Sequence, residues 1–184
     1  MDATLEKWIS GQGIKFLEQI GLKEGDKVLD CCCGEGNFSI PAAKIVKKKG
    51  LIYAIDMNSQ KLDILLGRSR GESLKNITII ELEFTNTIPL PGSAIDVVLL
   101  YDIYWYFSIG DTRLTILLSE VYRVLKSDAL LSVYPEHVDS RMLKQKIEDS
   151  GFLAEKEFFT TIIHDNEPKK GRIMNFRKYC NNIT

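Results

Sequence analysis

The residues whose types and spacing could do chemistry gather around Val28–Asn37, an apolar run that reaches Asp30, passes through Cys31, Cys32 and Cys33, and turns at Gly34-Glu35-Gly36. Small residues let a loop backbone come close to a ligand, and a helix that follows presents unpaired N–H groups at its start. Asp56 lies 20 residues beyond Gly36, the spacing at which an acid after the next strand accepts both hydroxyls of a ribose. A nucleoside is implied. A dinucleotide is not, because G-x-G-x-x-G is represented by its first glycine pair alone, and Asp30 and Glu35 would set anions among the phosphates.

An acid at that corner suits a nucleoside that carries positive charge, which makes S-adenosyl-L-methionine the expected cofactor. Further along, Glu83 and Asp102 follow two more apolar runs, so that Asp30, Asp56, Glu83 and Asp102 are expected to line one crevice. The aromatic run Tyr104-Trp105-Tyr106-Phe107 offers rings for a flat or apolar acceptor and for a sulfonium. Tyr104 and His137 are the candidate catalytic residues, His137 with Glu136 as the general-base candidate, whereas His164 is read as structural or exposed. Three adjacent thiols cannot all point at one ion, and metal spacing normally leaves a gap between cysteines. The triplet is read as packing, and no metal is expected.

Composition narrows the field. The 24 basic and 25 acidic residues leave a formal charge of -1, so nothing favours tracking a nucleic-acid backbone. Lys47-Lys48-Lys49 falls where a helix should end, and cations are favoured there by the helix dipole. No run approaches the roughly 18 apolar residues of a membrane span. With no disulfide framework and no basic leader, the chain reads as cytoplasmic.

The elements that must position these residues follow from periodicity. Residues 3–20 read as two helical pieces weakened at Gly11 and Gly13, a segment expected to act as a lid. Strands are predicted at 27–30, 51–56, 76–82, 96–101 and 129–134, with helices near 38–49, 59–70, 113–126 and 140–150. Two final strands, near 155–163 and 172–179, flank a polar loop at 166–171. Alternation of this kind predicts a single α/β domain over 1–184: a three-layer Rossmann-like sandwich whose seven-stranded sheet is mostly parallel and ends in an antiparallel hairpin. Ligands on such sheets bind beyond the C-terminal strand ends.

With these residues in place, the chain resembles the class I S-adenosylmethionine-dependent methyltransferases, by motif over about residues 25–135. Their first motif, an acid followed by x-G-x-G-x-G, is matched by Asp30, Gly34 and Gly36, with Cys32 where the first glycine usually stands. The double cysteine before Gly34 is similar to a variant of the quinone-biosynthesis C-methyltransferases. The resemblance implies that Asp56 binds ribose, that Met57 meets the adenine face, that Glu83 and Phe84 lie near the adenine amino group, and that Tyr101 sits near the methionine end. It departs at Ile95, usually aromatic, at 104–107, where relatives often carry histidines, and at Lys126-Ser127-Asp128-Ala129, which replaces a Pro-Gly-Gly turn.

The expected function is methyl transfer to a small aromatic or apolar acceptor. An S-adenosylmethionine-binding protein that needs a partner chain, or a homodimer mate, to complete its acceptor pocket is the alternative, followed by an NAD(P)-dependent oxidoreductase.

Overall fold

The structure, a computed structural model, describes residues 3–83, 87–104 and 106–179. In chain order it runs α1 (Ala3–Lys7), a π-helical turn (Trp8–Gln12), α2 (Gly13–Ile20), β1 (Lys27–Cys31), α3 (Ser39–Val46), a 3-10 turn (Lys47–Lys49), β2 (Leu51–Asp56), α4 (Ser59–Gly71) and β3 (Ile77–Glu81). There follow β4 (Ile95–Leu100), α5 (Thr112–Val124), β5 (Leu125–Val133), α6 (Ser140–Asp149), β6 (Phe152–His164) and β7 (Glu167–Lys178). The strands form one sheet in the order β3-β2-β1-β4-β5-β7-β6. β1 to β5 are parallel to one another, and β7 lies antiparallel between β5 and β6. The α/β class, the mostly parallel sheet and the terminal hairpin agree with the sequence reading.

Both faces of the sheet are covered. Along β1 and β4, Val28, Val97 and Leu99 enter one core with Leu17, Ile40 and Leu65. Leu29, Val98 and Leu100 enter the other with Leu117, Leu131 and Leu143. A strand buried on two sides has no solvent face to mark with polar residues, which is why these runs are continuously apolar. The later helices start at side-chain caps: Asn58 accepts from Lys61 N at 3.1 Å, Asp111 from Arg113 N at 2.8 Å, and Asp139 from Arg141 N and Met142 N at 2.9 Å. Each satisfies helix-start donors that otherwise lack partners.

Several boundaries differ from expectation for physical reasons. The N-terminal segment is not two pieces, since Lys7, Gln12 and Gly13 all hold right-handed helical angles across the π-helical turn. Gly13 is a packing position: a Cβ there would stand 2.9 Å from the Trp8 indole. The helix expected to reach Lys126 ends at Val124, and Leu125 and Lys126 already belong to β5. Ile95 pairs with Leu125 and Val97 with Leu130, so the expected turn at 126–129 is extra strand length, bulged around Asp128 at φ 58°. The polar loop at 166–171 is likewise mostly β7. The actual turn is Asp165-Asn166, at φ 49° and 63°, and two such residues in succession are what a two-residue type I′ hairpin requires.

One contact fixes the loop after β1. Gly36 has φ 86°, and a Cβ on it would lie 2.2 Å from Leu65 Cδ1 of α4. Any other residue meets both the left-handed penalty and a clash with a fully buried leucine. Gly36→Ala is expected to cost about 2–4 kcal/mol, read as a lower urea midpoint at unchanged m-value.

Candidate active site

The sheet changes direction of winding between β1 and β4, and a cleft of about 1000 Å³ opens beyond the ends of β1, β2 and β4. Asp56, the last residue of β2, ties its wall together. Its carboxylate accepts from Gly34 N at 2.8 Å and from Asn58 N at 2.9 Å. A carboxylate offers about four acceptor directions, so two backbone donors leave room for hydroxyls of a ligand. Gly34 sits at φ 54° with nothing within 4 Å of where a Cβ would be, and it lines the cleft together with Cys32, Asp56 and Met57. Arg68 of α4 holds the loop from behind, donating to Glu35 O at 2.9 Å and pairing with the Glu35 carboxylate at 2.5 Å.

The cysteine triplet divides between the cores. Cys31 lies in one and Cys33 in the other, although residues two apart on a strand share a face. The reason is Cys32, where φ of 57° turns the chain after β1 ends. Burial pushes all three thiols well above their ordinary range, so they remain protonated and suit packing.

Asp30 differs from expectation. It is 2% exposed and accepts from Ser39 Oγ at 2.5 Å; it lies behind the cleft wall rather than in it. Burial, opposed by the Ser39 hydrogen bond, raises its pKa to about 7. Glu83 is exposed beyond β3 and outside the lining, and Phe84 lies outside the described residues. Of the four acids expected in one crevice, Asp56 and Asp102 therefore line it.

The remaining wall is aromatic. Phe38 and Tyr101 meet edge-on with ring centres 4.8 Å apart, and Trp8 and Phe16 pack behind them. Trp8 Nε1 donates to Asn37 O at 2.8 Å, which fastens the N-terminal segment to this wall. Tyr101 OH lies 2.6 Å from Ser132 Oγ, which bonds Asn175 Oδ1 at 2.8 Å. Tyr104 does not reach the cleft: it is 4% exposed in the core, and its hydroxyl has no hydrogen-bond partner among the described residues. Tyr106, half exposed, lines the cleft instead, and Trp105 lies outside the described residues.

His164 was not expected here. It is buried, its Nδ1 2.7 Å from Asp102 Oδ1 and its Nε2 3.2 Å from Nε2 of exposed His137. Burial raises the pKa of Asp102, with the His164 hydrogen bond opposing it. Glu136 accepts from Tyr134 OH at 2.7 Å and pairs with Lys169; burial pushes its pKa up, but these donors hold it below the ordinary value. Asp165 and Asn166 of the hairpin turn also line the cleft. The signal that could have found them was the Asp-Asn pair itself, a two-residue turn signature at the end of a strand.

A doubly wound sheet with a cleft at its switch point, a glycine turn after β1 and an acid after β2 defines a Rossmann-like nucleoside-binding protein. More specifically, the chain belongs to the methyltransferase domain family, whose model matches residues 22–179. It is 29% identical over 119 residues to a demethylmenaquinone methyltransferase of Lactobacillus johnsonii, across 65% of this chain and 47% of that one. The chain spans about half the length of the curated relatives it matches. Its fold is similar to a SAM-dependent methyltransferase from Aquifex aeolicus, with TM-score 0.76 and 22% identity over 95% of this chain and 93% of the other. It is also similar to the cyclase SpnF, with TM-score 0.71 and 14% identity over 90% and 81%. Chemistry on this fold is therefore argued from the site.

Asp30 generates a pH dependence. Its folded value lies above its ordinary 3.8, so between these values the unfolded chain has released a proton that the folded chain retains. Stability contributed by this group falls as pH rises from about 4 to about 7, and levels off above. Asp30→Asn removes the effect. Relative to the unsubstituted protein, the variant is expected to gain about 2–4 kcal/mol in urea unfolding between about pH 4 and about pH 8.

Proposed function

We propose that this chain is an S-adenosylmethionine-dependent methyltransferase acting on a small aromatic or apolar acceptor. Charge in the cleft carries the reading. Among the described residues, its lining holds four carboxylates, Glu35, Asp56, Asp102 and Asp165, against the ammonium of Lys61. Even with Glu35 paired to Arg68, such a site favours a cationic nucleoside over a pyrophosphate. Among relatives, the demethylmenaquinone methyltransferases are named for an acceptor of the aromatic, apolar kind.

The cofactor, when bound, supplies a methyl group made electrophilic by its sulfonium. The chain's own residues hold and orient it. Gly34 and Cys32 let the backbone approach, Gly36 keeps the turn pressed on α4, and Asp56 accepts the ribose hydroxyls. Met57 serves the adenine end, and Tyr101 the methionine end. Asp30 acts through Ser39 and the turn that follows rather than by direct contact. The N-terminal segment packs behind Phe38 through Trp8 and Phe16. Displacement at an activated carbon gains most from alignment and exclusion of water, so Tyr106 is the residue assigned to hold the acceptor. His137 stands at the rim, and Tyr104 lies in the core behind the cleft.

Calorimetric titration tests the cofactor. S-adenosylmethionine and S-adenosylhomocysteine should bind and NADH should not; binding of NADH alone would overturn the proposal. Asp56→Ala should weaken both methionine cofactors by about 1–3 kcal/mol. For the acceptor, labelled cofactor is offered with thiol, phenol and quinol compounds, and Tyr106→Ala is expected to raise KM several-fold at unchanged cofactor affinity. No transfer by the isolated chain to any of them would favour completion of the pocket by a partner chain.

A further inference from the structure

Two imidazoles from distant parts of the chain meet at the cleft rim. His164 ends β6, and its Nδ1–H donates to Asp102 Oδ1 at 2.7 Å. A carboxylate there can only accept, so the other ring nitrogen, Nε2, presents its lone pair. That lone pair faces His137 Nε2 at 3.2 Å. Glu136 brings a carboxylate to the same point, and the donor atoms of Glu136, His137 and His164 all lie within 4.8 Å of one another. Asp165 Oδ2 lies 3.5 Å from His164 Nε2.

We propose that Glu136, His137 and His164 form a binding site for a first-row divalent cation of the zinc kind, with His137 Nε2 and His164 Nε2 as nitrogen ligands and the Glu136 carboxylate as the oxygen ligand.

Distance, orientation and charge each support it. Two imidazoles bound tetrahedrally to zinc at 2.0–2.1 Å stand about 3.3 Å apart, and the observed pair is at 3.2 Å. The Asp102–His164 hydrogen bond is the carboxylate support that fixes tautomer and ring direction in metal-bound histidines. Among the described residues, Asp102, Glu136 and Asp165 lie around the imidazoles with Lys169 paired to Glu136, an excess of negative charge that a divalent ion would offset. Mixed nitrogen and carboxylate donors suit zinc and its first-row neighbours more than magnesium or calcium. Asp102 and His137, outside the hairpin turn, both hold left-handed backbone angles, which cluster at functional sites.

Access and capacity are in order. His137 is exposed, and the Asp165 side chain is 75% exposed, so an ion can enter from solvent. Glu136 already accepts from Tyr134 and Lys169, yet a carboxylate retains further lone pairs, and half-exposed Lys169 has room to move aside. Asp102 and Asp165 also line the cleft, so a cation here stands beside it. Binding of the ion itself is independent of the methyl-transfer reading.

The test uses the full chain, stripped with a chelator and titrated with cobalt(II) and zinc(II) in the absence of any cofactor. Expected are one equivalent bound in the micromolar range or tighter, visible d–d bands of low-symmetry cobalt, and a higher Tm with zinc. His137→Ala, at an exposed position, should weaken binding at least tenfold and abolish the zinc-dependent rise in Tm. Asp102→Asn, acting through His164, should weaken it by about 10–100-fold. Absence of binding, equal affinity in His137→Ala, or a strong thiolate-to-cobalt band placing the ion on the cysteines would overturn the proposal. In the first two cases the histidine pair is a hydrogen bond and no more.

Discussion

The bond from Gly34 N to Asp56 Oδ2 is the interaction on which the cleft depends. It joins the turn after β1 to the end of β2, and the same carboxylate also receives Asn58 N, which starts α4. Asn58 in turn caps that helix through Lys61 N. A single acid thus sets the distance between two neighbouring strand ends and the helix that carries Leu65 and Arg68 back against the turn. Leu65 presses on Gly36 and Arg68 holds Glu35. The acid proposed to hold the ligand is also the group that fixes the architecture around it.

Backbone strain is concentrated around this cleft. Cys32, Asp102, Asp165 and Asn166 line it, His137 stands at its rim, and all hold positive φ. Left-handed angles cost a non-glycine residue about 1–2 kcal/mol, and here the cost is offset by two packed cores and a continuous seven-stranded sheet. Cys32 illustrates the consequence. A β-branched side chain would suffer more in that conformation, whereas cysteine keeps a small apolar body at the turn and lets Cys31 and Cys33 enter opposite cores.

The opposite side of the cleft is assembled differently, from segments far apart in sequence. His164 is separated from Asp102 by 62 residues and from His137 by 27. They meet because β7 runs antiparallel beside β5, so the turn between β6 and β7 returns to the end of the sheet where β4 and β5 finish. The hairpin is both the sheet's edge and a wall of the cleft.

What the sequence by itself determined is the part ruled by local chemistry and period. The alternation of apolar runs with helical patterns set the parallel sheet, the spacing from Gly36 to Asp56 set the nucleoside corner, and adjacent cysteines excluded a shared ion on the triplet. What the tertiary structure decided is which side chains face the cleft. Asp30 and Tyr104 carry the right chemistry at the right strand ends, but their side chains lie in the cores, and a strand's pattern does not tell which buried face opens on a ligand. His164 was read as incidental because a lone histidine in sequence has no visible neighbour. Its partners come from chain segments that only sheet order and a two-residue turn bring within hydrogen-bonding distance.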